Sequence, residues 1–276
     1  MKLFLLLLIS LNAFTQISRN FQKATKPKYE IGFGAIRLDV PNYPGAAKST
    51  PRTIPFPWII YRGDVLRADE EGTRAKFLEG DSLELGLSFG FNFAIKSDDN
   101  EARSGMPNTD TLIGLGPGLI YRLLKDDPLQ RVNLGIGLRG NLATNFSNRF
   151  RYQGLILEPY VRYWRKLSSS IPVTIFTSLS ASISDQEYAD FFYTVEDRYE
   201  TSSREAYKAK SGLVDLALSV GFSYDFSKKA SIFSGVNYSN LSLAANKRSD
   251  LVEEEHNIGV ILGFAWLFYE SDTMVK

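Results

Sequence analysis

The chain has 276 residues, no cysteine, one histidine and a formal net charge of +1. Those values exclude disulfides, lipoprotein attachment through an N-terminal Cys, and thiolate or histidine-rich metal centres. They also remove any bulk electrostatic case for a nucleic-acid partner.

The N-terminus reads as a targeting segment. Lys2 supplies a positive start, Leu3 to Leu11 is apolar apart from Ser10, and Asn12, Ala13 and Thr15 follow. That order predicts a secretory signal peptide over 1–18, with cleavage between Ala13 and Ser18. Its apolar run is too short to span a bilayer as a helix, and no later run reaches the ~18 apolar residues a spanning helix needs. Any membrane insertion must therefore use strands. Residues 19–29 are expected to form a short periplasmic segment, 30–268 the folded body and 269–276 a periplasmic tail.

From Glu30 onward the pattern has period two. In Leu213 to Phe226, Val214, Leu216, Leu218, Val220, Phe222, Tyr224 and Phe226 alternate with Asp215, Ala217, Ser219, Gly221, Ser223 and Asp225. Segments 83–95, 132–142, 171–183 and 257–268 repeat the pattern. The polar face is mostly Gly, Ser, Asn and Ala, where a solvated strand face carries Lys, Glu and Thr. Small residues suit a crowded interior, which leaves the apolar face for lipid. Backbone groups cannot stay unpaired in lipid, so the strands must close.

The fold expected is all-β: a closed antiparallel transmembrane β-barrel of about 12 strands, with short periplasmic turns and longer extracellular loops. The strands fall at about 31–40, 53–61, 64–70, 73–78, 82–95, 110–124, 130–144, 150–166, 170–184, 212–226, 230–243 and 256–268. The weak stretch is 53–78. Its strands are short, and Pro55 and Pro57 remove ladder donors, so a bulge is expected there. Tyr121, Tyr163, Tyr224, Phe226, Trp266 and Phe268 cluster at the periplasmic strand ends, as an interfacial girdle would.

Several runs resemble a known family. Pro41-Asn42-Tyr43-Pro44-Gly45, Pro55-Phe56-Pro57 and Tyr61-Arg62-Gly63-Asp64 are similar to the N-terminal signature of the MipA/OmpV family, the MltA-interacting outer-membrane proteins. Gly114-Leu115-Gly116-Pro117-Gly118, Phe192-Tyr193 and Ser249-Asp250-Leu251-Val252 follow in the family's order. The resemblance implies an outer-membrane barrel in a Gram-negative envelope. It further implies a scaffold for a lytic murein transglycosylase, or a porin-like or adhesive protein. Such barrels commonly end on an aromatic residue, whereas here Tyr269 to Lys276 follows Phe268, which bears on how the barrel-assembly machinery reads the last strand.

Catalytic chemistry has little to stand on. His256 opens the last strand beside Asn257, with no nucleophile motif near it; a rim-located lipid hydrolase would need one. The glycine run at 114–118 lies in a strand, not before a helix that could hold an anion. Glu253-Glu254-Glu255 lacks the ligand spacing of a calcium loop. No catalytic, cofactor or metal residue is assigned.

Inward charges are more informative. Glu84, Arg122, Arg139, Glu158 and Arg162 all fall on the small-residue face, where they would line or plug a lumen. An antiparallel register centred near Ser147 sets Arg139 opposite Ile156, with Glu158 on the diagonal, and Glu84 comes nearly opposite Arg122. The expected function is a scaffold barrel for a periplasmic murein-modifying enzyme, with a narrow solute channel as the alternative. Outer-membrane lipid surrounds it, and no nucleic acid is involved.

Overall fold

The computed structural model describes residues 26–62, 66–69, 72–75, 82–124, 127, 129–146, 150–168 and 170–275. The expected signal peptide over 1–18, most of the 19–29 segment and the Glu79-Gly80-Asp81 turn lie outside the described residues.

Ten long strands build one antiparallel curled sheet: β2 (Tyr29–Asp39), β3 (Arg52–Arg62), β6 (Leu83–Asn92), β7 (Thr111–Leu124), β8 (Gln130–Thr144), β9 (Arg151–Lys166), β10 (Val173–Ser184), β11 (Gly212–Asp225), β12 (Ala230–Asn240) and β13 (His256–Glu270). Two four-residue strands, β4 (Leu66–Asp69) and β5 (Gly72–Ala75), extend it beyond β3. The order along the sheet is β5-β4-β3-β2-β13-β12-β11-β10-β9-β8-β7-β6. First and last long strands therefore pair, β2 with β13 from Glu30↔Glu270 to Asp39↔Val260. The sheet's two end strands, β5 and β6, come within 8 Å of each other at Cα without a ladder among the described residues. No described helix is long and apolar enough to cross a membrane.

The period-two pattern sorts residues by face. Along β13, Ile258, Val260, Leu262, Phe264 and Trp266 are exposed, while Asn257, Gly259, Ile261, Gly263, Ala265 and Leu267 are buried. β11 behaves alike, with Leu218, Val220 and Phe222 outward and Ser219, Gly221 and Ser223 buried. A soluble sheet would bury the apolar set; here water-free surroundings are needed on the outside. Inside, small residues make room for large ones: a Cβ at Gly135 would collide with the Tyr160 ring, and one at Gly263 with Phe233.

One expectation for 53–78 changes. β3 is an unbroken eleven-residue strand, paired with β2 from Arg52 to Tyr61 with no register shift, so no bulge sits in it. Arg62 donates its N–H to Lys28 O at 2.9 Å, which puts the even-numbered N–H groups of β3 on the β2 side. Pro55 and Pro57 then lack donors on the opposite edge, where, among the described residues, β3 meets β4 at Tyr61↔Ala68 and Arg62↔Arg67. Of the strands expected at 64–70 and 73–78, β4 and β5 fall at 66–69 and 72–75, and the remaining positions lie outside the described residues.

The long connections, 40–51, 93–110, 185–211 and 241–255, all leave one end of the sheet, here called the loop end. The helix α1 (Gln186–Tyr193) lies in the longest. The Asp185 side chain caps it, accepting from Tyr188 N at 2.9 Å while its other oxygen accepts from Leu155 N at 2.8 Å. At the opposite, turn end, β13 runs past Phe268 to Glu270. The tail then returns as β14 (Met274–Val275) to pair with β1 (Lys26–Pro27).

Candidate functional site

The loop end is a folded dome with its own core. Tyr43, Leu112, Tyr188, Phe192, Tyr193 and Leu251 are buried together in one apolar cluster. Tyr43 and Phe192 stack with ring centroids 6.2 Å apart, and Tyr188 meets Phe192 at 5.3 Å. Polar groups pin the same contacts. The Tyr43 hydroxyl donates to Leu251 O at 2.8 Å, the Tyr193 hydroxyl to Pro44 O at 3.0 Å, and the Ser249 hydroxyl to Tyr193 O at 2.8 Å. Gly45, at φ +94°, donates its N–H to Asn257 Oδ1 at 2.6 Å, and Asn257 Nδ2 returns a bond to Ala46 O at 3.1 Å. Such a φ suits glycine.

Two buried arginines lock the remaining loops to this core. Arg204 donates to Tyr199 O, Ala102 O and Ser104 O, and Arg103 donates to Phe192 O at 3.3 Å. Burial pushes the phenols of Tyr43 and Tyr193 well up and that of Tyr188 up to about 12, while the same desolvation draws the Arg103 guanidinium down.

Beneath the dome lies a polar cavity of about 300 Å³. Arg139 crosses it: Nη2 sits 2.8 Å from Glu158 Oε2, and Nη1 donates to Ser88 Oγ at 3.2 Å. Arg162 lays its guanidinium 4.0 Å over the Tyr160 ring centroid, leaving a buried Nε without a hydrogen-bond partner. Tyr188 of α1 and Pro44 of the first loop close it from the loop end. Toward the turn end Arg122 pairs with Glu84. The far side of the interior is apolar, with Phe56, Trp58, Ile60, Phe233 and Ile261 packed together.

All five inward charges thus lie on the inner face. Arg139 joins Glu158 and Arg122 joins Glu84, while Arg162 stacks on an aromatic ring instead of pairing with a carboxylate in that cluster. Sequence reading did not find Tyr160 or Tyr188, whose types carry no charge signal. It also did not single out the buried pair Glu30–Arg62, 2.7 Å apart at the turn end, where Arg62 also donates to Pro27 O. Arg62 sat inside a quoted motif, and Glu30 on the first strand was the signal available.

His256 is exposed on the outer face. Its Nδ1 lies 2.8 Å from the Tyr238 hydroxyl and the two rings stack. That pair offers no activated serine. Among the described residues no cluster of acidic or histidine side chains could hold a metal ion. Glu253 instead binds the first loop, its Oε2 accepting from Ala47 N at 3.2 Å.

Comparison with known proteins gives one family and a set of distant structures. The profile of the family described as MltA-interacting protein MipA matches residues 31–268. Among solved structures, the chain is similar to the CymD monoaromatic hydrocarbon channel at 11% identity and TM-score 0.39, covering 94% of this chain and 95% of that one. It is similar to the NanC porin at 11% identity and TM-score 0.39, covering 86% and 98%. A bacterial polysaccharide outer membrane secretin gives 10% identity and TM-score 0.41, covering 88% and 99%. No curated protein matches the chain.

Proposed function

This chain belongs to the MltA-interacting protein MipA family, and on that premise we propose that its barrel serves as a closed scaffold docking a lytic murein transglycosylase. It is an outer-membrane β-barrel protein, and a family described by an interaction rather than a reaction points away from catalysis.

One observation carries the scaffold reading. The dome cluster of Tyr43, Phe192 and Leu251 sits across the loop end of the interior, and Phe56, Trp58 and Phe233 pack together inside below it. A solute path along the axis has to break a packed core. In this reading the signal peptide over 1–18 delivers the chain, the loop end faces outward from the cell, and the β4–β5 hairpin completes the ring against β6. The turn end, with the β1–β14 pair, then faces the periplasm and the murein enzyme.

The cavity at Arg139 favours the narrow channel as second reading, because it is polar and about 300 Å³ in volume. Planar-bilayer conductance of the purified protein separates the two. A scaffold passes no steady current and enriches a cell-wall transglycosylase from solubilised envelopes. Steady ohmic current with no such enrichment would select the channel.

A further inference from the structure

Arg162 is the inward charge that its neighbours leave without a counter-charge. On β9, Glu158, Tyr160 and Arg162 follow one another at every second residue, so all three face the interior cavity. The Tyr160 ring stands between the two charges, in room left by Gly135, where a Cβ would collide with it. Glu158 is already engaged by Arg139. Across its two ladders Arg162 faces Asn133 of β8 and Ser178 of β10, neither of them acidic. Among the described residues Arg162 has no hydrogen bond and no ion pair, and its buried Nε is one of the atoms left without a partner. Its guanidinium stacks 4.0 Å over the Tyr160 ring centroid. Stacking fixes the plane of the group and leaves its edge donors uncommitted.

There is space for a partner. The cavity of about 300 Å³ is closed at the loop end by Tyr188 and Pro44, and its lining continues toward the turn end to Ile120 and Arg162. Two guanidiniums, Arg139 and Arg162, line it against one carboxylate, Glu158, an excess of one positive charge. Asp215, which faces Ser182 across the β10–β11 ladder, does not line it. Hydroxyl side chains supply the neutral polar groups of the lining, at Ser88, Ser182 and Tyr188. A guanidinium drawn into such an interior without a partner costs free energy. A carboxylate or phosphate removes that cost, because its oxygens match the planar fork of donors.

We propose that this cavity binds a small solute through one oxyanion group, a carboxylate or a phosphate, entering from the turn end. Arg162 holds the oxyanion, and the hydroxyls of Ser88 and Ser182 face the rest of the solute. One anionic group matches the surplus charge, and a second would meet Glu158. The inference goes beyond the scaffold reading and does not depend on it: the site is defined by its side chains, in a closed scaffold as in a channel.

The test uses the full mature protein in detergent micelles and saturation-transfer NMR, with lactate, methyl phosphate and tetramethylammonium as probes. Saturation is expected to pass from the protein to lactate, to methyl phosphate or to both, and not to tetramethylammonium. Transfer to one oxyanion alone assigns the group as a carboxylate or as a phosphate. Arg162→Gln should weaken binding about ten-fold, the loss of one charge-assisted bond. Gly118→Leu provides a second variant that leaves every charge in place. Gly118 lines the cavity, and a Cβ there meets only ordinary contacts, with Ser88 at 3.7 Å, so the leucine fills the space without moving backbone. It should abolish the transfer while the protein keeps its heat-modifiable gel mobility. No transfer to either oxyanion, equal transfer to tetramethylammonium, or transfer unchanged in either variant overturns the proposal and leaves the transglycosylase pull-down untouched.

Discussion

Arg139 and Glu158 are not opposite one another in the sheet. Arg139 faces Ile156 across the β8–β9 ladder and Glu158 faces Gly137, yet their charged ends meet at 2.8 Å along the diagonal. The glycine leaves the space through which the arginine side chain crosses. Removing one partner strands a charge in a largely dry interior, so Glu158→Gln or Arg139→Met should each cost about 3–5 kcal/mol. The double replacement should cost much less than the sum. Urea unfolding of all four proteins in one detergent measures this; additive effects would mean that the contact contributes no coupling.

Exposed leucines divide into two classes. Leu218 lies mid-strand on the outer face and Leu243 lies in a loop beyond the wall, 41% and 70% exposed. Leu218→Arg should cost about 2–4 kcal/mol of folding into vesicles, the usual penalty near the bilayer midplane. Leu243→Arg should stay within about 0.5 kcal/mol, as a surface change in water does. Equal costs would mean that the outer face does not meet lipid.

The dome should open when its central ring is removed. Phe192 is buried against Tyr43, Tyr188 and Tyr193. Phe192→Ala should cost about 3–5 kcal/mol of local packing, expose 185–211 to protease and raise conductance, while heat modifiability persists. Protection unchanged from the parent would show that the loops are held by something else.

The same core makes the dome alkali-sensitive. Tyr188 ordinarily titrates at 10.0, and burial raises it to about 12 in the folded dome. Folding favours the protonated phenol, so its contribution is fully present below pH 10.0 and is lost as pH rises toward 12. Tyr43 and Tyr193 shift the same way. Hydrogen exchange at α1 should accelerate across that interval, and Tyr188→Phe should shrink the change. Exchange that is flat from neutral pH through the interval would contradict the assignment.

The sheet was legible because its signal is local. Alternation in Leu213 to Phe226 assigns faces without knowledge of any partner strand, and hairpin neighbours let Arg139 and Glu158 be paired from the loop midpoint alone. The dome was not legible, because its contacts have no period. Tyr43 bonds a carbonyl 208 residues away, and Tyr193 reaches one 149 residues away. Only the family-like runs at 41–45, 192–193 and 249–252 marked those positions, and nothing in them said they share a core. In β3 the prolines suggested a bulge, because the missing donors were assumed to face a neighbour. Which edge they face depends on the parity fixed by Arg62 and Lys28, which the strand's own residues do not reveal.

The β2–β13 ladder has a kinetic consequence. Every other long ladder joins strands adjacent in the chain, so none closes a loop longer than the connection 185–211. β2 and β13 must instead find each other across almost the whole sequence, and the entropy of that encounter is spent before any of its contacts are gained. The Lys26–Pro27 to Met274–Val275 pairing prolongs that encounter beyond the wall. Formation of this ladder is therefore limited by two distant segments meeting, and removing either Lys26–Pro27 or Met274–Val275 should slow assembly more than it lowers final stability.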